Sequence, residues 1–178
     1  MNQQMIEKIQ KTSKKVLLVT NIAKIFCIVM GVIIIVAGII CLATANQINE
    51  QVANEVSSGA VAISEVFDGM SDEMTRDILE NGYTAYVFVA YVATGGLILF
   101  GTAVIFHFIG KIFKDLKESY SPFVPAIVKD MKIAFIIITV ISALNSLLIG
   151  LITGLALWCV LHIFEYGCEL QKLSDETL

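Results

Sequence analysis

Positive charge is scarce in the middle of this chain. Between Lys24 and Lys111 the only cation is Arg76, and of 178 residues 16% are charged against 57% hydrophobic. Soluble domains carry about a quarter charged residues, so water is not the main solvent here. Histidine occurs only as His107 and His162, and no His-Glu-x-x-His pattern is formed. There is no Ser/His/Asp arrangement, no Gly-rich phosphate loop and no paired-acid motif. The chain therefore reads as a non-enzyme, with no cofactor and no bound metal. Cys27, Cys41, Cys159 and Cys168 all lie in or beside apolar runs. A disulfide framework would use an extracellular loop, so they read as small hydrophobes inside a bundle. No internal repeat appears, which removes the usual transporter plan. No basic patch suits nucleic acid, and direct nucleic-acid binding is not expected.

What the chain has is length without charge. Residues 25–45, 85–110 and 133–164 are uncharged runs of 21, 26 and 32 residues. A spanning helix needs about 20 apolar residues. The fold expected is all-α, a polytopic membrane helix bundle in one membrane domain, 1–178, with the lipid bilayer as its first partner. The last run would make a single helix about 48 Å long, against a hydrocarbon core of about 30 Å. Two spans resolve this, with a tight turn at 145–150 where Asn145 marks the turn or bonds across helices. Gly150-x-x-x-Gly154 then lets the two arms pack closely. The expected spans are 25–45, 85–110, 126–147 and 150–170. The alternative is three spans, with one long last helix.

Eleven of the twelve Lys and Arg residues fall on one side of this plan. Lys14, Lys15 and Lys24 precede the first span, and Lys111, Lys114 and Lys117 follow the second. Residues 46–82 carry eight acids and only Arg76. Short loops rich in lysine stay in the cytoplasm. The N-terminus and the loop 111–125 are therefore expected inside, the acidic loop 46–82 outside, and the C-terminus inside if the spans number four. The lysines beside the spans also suit an anionic inner leaflet. Ala43-Thr44-Ala45 has the look of a signal cleavage site. The run before it exceeds the roughly 7–15 residues of a signal peptide's apolar region, so an uncleaved span is expected.

Local signals fill in the rest. Residues 1–24 read as an amphipathic helix at the inner interface, with Ile6, Ile9, Val16, Leu17 and Ile22 between Lys and Gln. Ser71 can cap a helix over 72–80, with acids in its first turn and Gly82 at its stop. Residues 60–67 leave helix and strand open. Tyr83, Tyr86 and Tyr91 at one end of the second span, and Phe106, Phe108 and Phe113 at the other, suit interface belts. Gly95, Gly96 and Gly101 mark close helix approach. Pro122 and Pro125 break the chain between spans, and Pro125 suits a first helical position.

Cys159, His162 and Glu165 recur at intervals of three, with Glu169 one turn on and His107 at similar depth. Ionisable groups inside a membrane are costly and default to functional candidates. The plain reading pairs Glu165 or Glu169 with a lysine such as Lys24 and bonds His162 to a neighbouring helix. The sharper one is an intramembrane metal site. Three functions stay open: a non-enzymatic interaction or regulatory protein, a small transport or pore subunit built as a homo-oligomer, and a metal-binding membrane protein.

The stretch Ile163-Phe164-Glu165-Tyr166-Gly167-Cys168-Glu169-Leu170-Gln171, followed by Asp175-Glu176-Thr177-Leu178, resembles the end of a family of small bacterial membrane proteins: the domain of unknown function numbered twenty-nine seventy-five. Ser121-Pro122-Phe123 leading to Val128-Lys129 resembles its mid-chain segment. The resemblance implies four spans in a bacterial cell membrane and no assigned activity. Members of that family are often encoded beside a Cro-like helix-turn-helix regulator. It thus implies a cytoplasmic regulatory partner, with Gln171, Asp175 and Glu176 in the tail as the handle.

Overall fold

No proline interrupts the first 121 residues, and the structure, a computed structural model, runs most of them as helix. It describes the backbone of residues 3–67, 69–119 and 121–176, and the side chains of these from residue 10 onward except Asp175. The side chains of Ile6, Ile9 and Asp175, and the whole of Thr177 and Leu178, lie outside the described residues. Seven helices follow in order: α1 Gln3–Ala43, α2 Ala45–Ser57, α3 Ile63–Val66, α4 Asp72–Glu80, α5 Thr84–Ser119, α6 Pro125–Asn145 and α7 Leu147–Glu176. The described residues form no strand, and the stretch left open at 60–67 contains the one-turn helix α3.

Three helical stretches are long and apolar enough to cross a membrane: Gln10–Ala43, Thr84–Ser119 and Leu147–Ser174. Their outward faces are apolar, with Leu147 83% and Ile163 66% exposed. Such surface is untenable in water and natural against lipid. α1 spans 41 residues without a break, about 60 Å at 1.5 Å per residue. The helix expected over 1–24 to feed the first span is the first half of the same rod.

The last apolar run is two helices rather than one long one, and of the two only α7 is long and apolar enough to cross a membrane, which makes three candidate spans among the described residues, as in the three-span alternative, rather than four. The break is one residue, Ser146, in extended conformation (φ −160°, ψ 129°). It is tighter than the expected 145–150 turn because the helix ends satisfy themselves. The Ser146 N–H donates to the Ser142 carbonyl at 3.0 Å and the Gly150 N–H to the Ser146 carbonyl at 2.9 Å. The Asn145 amide donates to the Ile141 carbonyl at 3.1 Å, within its own helix. So α6 ends at Asn145 rather than 147, and α7 begins at Leu147 rather than 150. α6 holds Lys129, Asp130 and Lys132 near its start, leaving 13 uncharged residues, 133–145. That is about 20 Å, shorter than the hydrocarbon core. The expected span 126–147 is thus the short arm of an α6–α7 hairpin. The arms close on glycine as expected. A Cβ at Gly150 would meet the Ala143 Cα at 2.6 Å, and one at Gly154 would meet the Thr139 side chain at 2.9 Å.

By its contacts the chain divides into two units, Met30–Leu97 and Met1–Val29 with Ile98–Leu178. In the first, α1 approaches α5 at glycines: a Cβ at Gly38 would lie 3.3 Å from Val92, and one at Gly96 would lie 3.6 Å from Ile34. Gly95 faces open space and brings nothing close. Ser71 caps α4 by accepting from the Met74 N–H at 3.3 Å. Gly82 (φ +67°) closes α4. Its N–H donates to the Leu79 carbonyl at 3.1 Å, and the Tyr83 N–H to the Ile78 carbonyl at 2.9 Å. This double bond pattern is the Schellman stop, which needs a left-handed residue. Asn49 of α2 reaches across to the start of α5. Its amide donates to the Gly82 carbonyl, and its oxygen accepts from the Ala85 N–H at 2.8 Å. α5 therefore receives its N-terminal cap from another helix.

In the second unit the buried cluster is Ile127, Val128 and Met131 of α6 with Leu161 of α7, packed against Ile112 and Leu116 of α5 and Phe164 of α7. α1 meets α5 where Gly110 leaves room for the Thr20 hydroxyl, at 3.3 Å from a Cβ built there. That hydroxyl is satisfied within its own helix, donating to the Val16 carbonyl at 2.9 Å.

Candidate functional site at the lysine-bearing end

The loop between α5 and α6 is built by serine and proline. Ser119 and Ser121 bond the backbone locally: the Ser119 hydroxyl donates to the Ser121 carbonyl at 3.0 Å, and the Phe123 N–H donates to the Ser121 hydroxyl at 3.2 Å. Val124 is extended at the N-cap, and Pro125 opens α6 where its missing N–H costs nothing. This fixes Phe123 pointing at α7. A Cβ at Gly167 would run into the Phe123 ring, so only glycine seats it there. The ring also lies 5.8 Å from that of Phe164, tilted by 45°.

One turn further along α7, the Ser121 hydroxyl donates to the Gln171 side-chain oxygen at 2.7 Å. The loop and the end of α7 are thereby tied by one ring contact and one hydrogen bond. Between them lies an open recess of about 480 Å³, lined by Phe123, Val124, Pro125, Cys168, Glu169 and Lys172 beside Gln171.

Beneath the loop sits the one buried charge of the described residues. Asp130 is 2% exposed, on the α6 face that carries Ile127 and Ala134. One carboxylate oxygen accepts from the Lys111 ammonium at 2.9 Å, and the other has no partner. Lys111 lies half exposed, its stem along α5 and its head at the pair. A carboxylate taken out of water is tolerable only when paired, so this contact ties α5 to α6. The sequence reading missed Asp130. Its signal was an acid at i+3 from Ile127 and i−4 from Ala134, on the face about to be buried.

Two members of the polar stripe meet on α7. His162 Nδ1 and Glu165 lie 2.9 Å apart on one face of α7, both partly exposed. The Trp158 ring packs against His162 with centroids 5.1 Å apart, tilted by 59°. Cys159 and Glu169 are exposed, Cys159 being apart from any bundle interior. His107 is exposed on α5 with its ring against Phe108 at 5.7 Å. Among the described residues no group of three His, Cys, Asp or Glu side chains is placed to hold a metal ion. The expected pairing of Glu165 or Glu169 with Lys24 is not formed: the described ion pairs are Lys111–Asp130 and His162–Glu165. Glu165 finds His162 three residues away on its own helix, which costs less ordering than a long lysine from elsewhere.

Of the other basic candidates, Lys14, Lys15 and Lys114 are exposed, while Lys24 and Lys117 are half-buried. In the tail, Gln171 is engaged by Ser121 and Glu176 is exposed. The chemistry assembled here is that of holding and docking: apolar rings, an amide, one acid and one ammonium around a recess. No family model, no curated protein and no solved structure matches this chain.

Proposed function

We propose that this is a non-enzymatic interaction protein of a bacterial cell membrane, with both termini and the loop 111–125 in the cytoplasm and a cytoplasmic regulatory protein as its partner. The observation that carries the reading is the recess between Phe123 and Gln171. Its apolar floor of Phe123, Val124 and Pro125 is flanked by Glu169 and Lys172. That mixture suits an amphipathic segment of a partner better than a small reactant. The lysine distribution supports a cytoplasmic position for it. The polar groups nearby are engaged with one another, Ser121 with Gln171 and Lys111 with Asp130, which favours a fixed docking shape over chemistry.

Photo-crosslinking in the producing cell, from a probe at Glu169, tests this. Capture of a cytoplasmic protein is expected, and its loss in Gly167→Leu, which displaces Phe123. Capture of proteins from outside the cell would invert the topology and overturn the reading. Capture of the protein's own copies alone would replace the partner with a homo-oligomer.

A further inference from the structure

The outward face of the α6–α7 hairpin carries a second concavity, unrelated to the recess. It is a groove of about 280 Å³ running from Lys132 to Val140 on α6 and from Gly154 to Leu161 on α7. Eight residues of helix are about 12 Å, close to the depth of one leaflet's share of a roughly 30 Å core. Its walls are Phe135, Ile136, Leu157 and Trp158, and Gly154 lines it where α7 closes on Thr139. The one hydroxyl within, Thr139, is spent on the Phe135 carbonyl at 2.8 Å. The groove therefore offers nothing to a polar ligand along its length.

Lys132, at one end of the groove, is the only charge that lines it. It is exposed and forms no ion pair among the described residues. We infer that this groove is a binding site for an anionic phospholipid, with one acyl chain along the α6–α7 slot and the phosphate on Lys132. A second copy fits worse. A two-fold contact pairs a patch with itself, and this patch would confront Lys132 with a surface bearing no acid. A single cation at the mouth of a dry slot is complementary to a headgroup phosphate on an apolar tail.

Trp158 is the only tryptophan of the chain and lines the groove, so its fluorescence reports the occupant directly. The full-length protein is placed in vesicles of phosphatidylcholine and phosphatidylglycerol, with brominated chains on one lipid at a time. At equal mole fraction, brominated phosphatidylglycerol is expected to quench Trp158 as though bound about fivefold more tightly, the factor given by about 1 kcal/mol for one lysine at a membrane surface. Lys132→Gln is expected to abolish the preference and Lys132→Arg to keep it. Lys114→Gln, which removes the same charge elsewhere, is expected to leave it unchanged. Equal quenching by both lipids in the wild type overturns the proposal, and so does a preference that survives Lys132→Gln. Absence of quenching by either lipid means that protein covers the groove, and overturns it as well.

Discussion

The unit Met30–Leu97 and the unit holding the lysines are stabilised by opposite means. In the first, polar residues act on neighbours in sequence. Ser71 caps the helix it begins, and Gly82 stops the helix it follows. Asn49 is the exception, reaching 36 residues along the chain to Ala85. In the second, the deciding contacts are distant: Lys111 to Asp130, 19 residues apart, and Ser121 to Gln171, 50 apart. The acidic unit exposes its charges, whereas the lysine-bearing unit buries one and pairs it. A surface of exposed acids tolerates change, since isolated surface charges contribute about 0–1 kcal/mol each. A buried carboxylate does not.

That contrast can be broken from either side. The largest effect is expected from Lys111→Met, which leaves Asp130 charged, buried and alone. Its melting temperature in detergent should fall further than that of any other variant named here. Adding Asp130→Leu should restore most of the loss, because an apolar pair of similar volume replaces a buried ion pair at little cost. Failure of the second change to rescue would mean that the pair does not act as a unit. Gly150→Ala comes next. The added methyl meets backbone rather than a yielding side chain, and about 2–3 kcal/mol is expected from overpacking. Trp158 emission during titration with a denaturing detergent would read the hairpin's opening.

Asn49→Ala sharpens the comparison, as it removes the distant polar contacts of the acidic unit, those to Gly82 and Ala85. It orphans the Ala85 N–H, which is fully buried, at about 1–2 kcal/mol. Hydrogen exchange should rise at the start of α5 and leave α6 unchanged. Ser71→Ala should be mildest, at about 1 kcal/mol. It should fray the first turn of α4 in the same experiment without lowering protection elsewhere.

Local chemistry is what the residues disclosed in advance. Ser71, Gly82, Pro125 and the Gly150–Gly154 pair each act through a backbone requirement that the residue type itself carries. The hairpin was legible because 32 uncharged residues do not fit one bilayer crossing. Contacts between separate helices were not legible. Asp130 and Lys111 each look like one more charge in a basic loop, and only the packing of α5 on α6 makes them partners. Gly167 was visible as part of a tail pattern, but its role depends on a ring 44 positions earlier, at Phe123. The start of α1 is a matter of continuity. Nothing between its lysine-rich part and its apolar part stops a helix, so amphipathic segment and span merge into one.

The one-residue turn at Ser146 bears on how the chain enters a bilayer. From residue 133 to 164 the hairpin carries no Asp, Glu, Lys or Arg, its only titratable side chains being Cys159 and His162, and the acids and lysines of α6 and α7 sit at the two open ends. The tip is Asn145-Ser146-Leu147, where the Ser146 N–H donates to the Ser142 carbonyl, the Ser146 carbonyl accepts from the Gly150 N–H, and the Asn145 side chain donates to the Ile141 carbonyl. Carrying a lysine or aspartate to the centre of a membrane costs about 2.5–3.5 kcal/mol on insertion scales. This tip carries none, so both arms can be threaded together from the side on which their charges stay. The charges that bound this apolar stretch are Lys132 on one arm and Glu165 on the other.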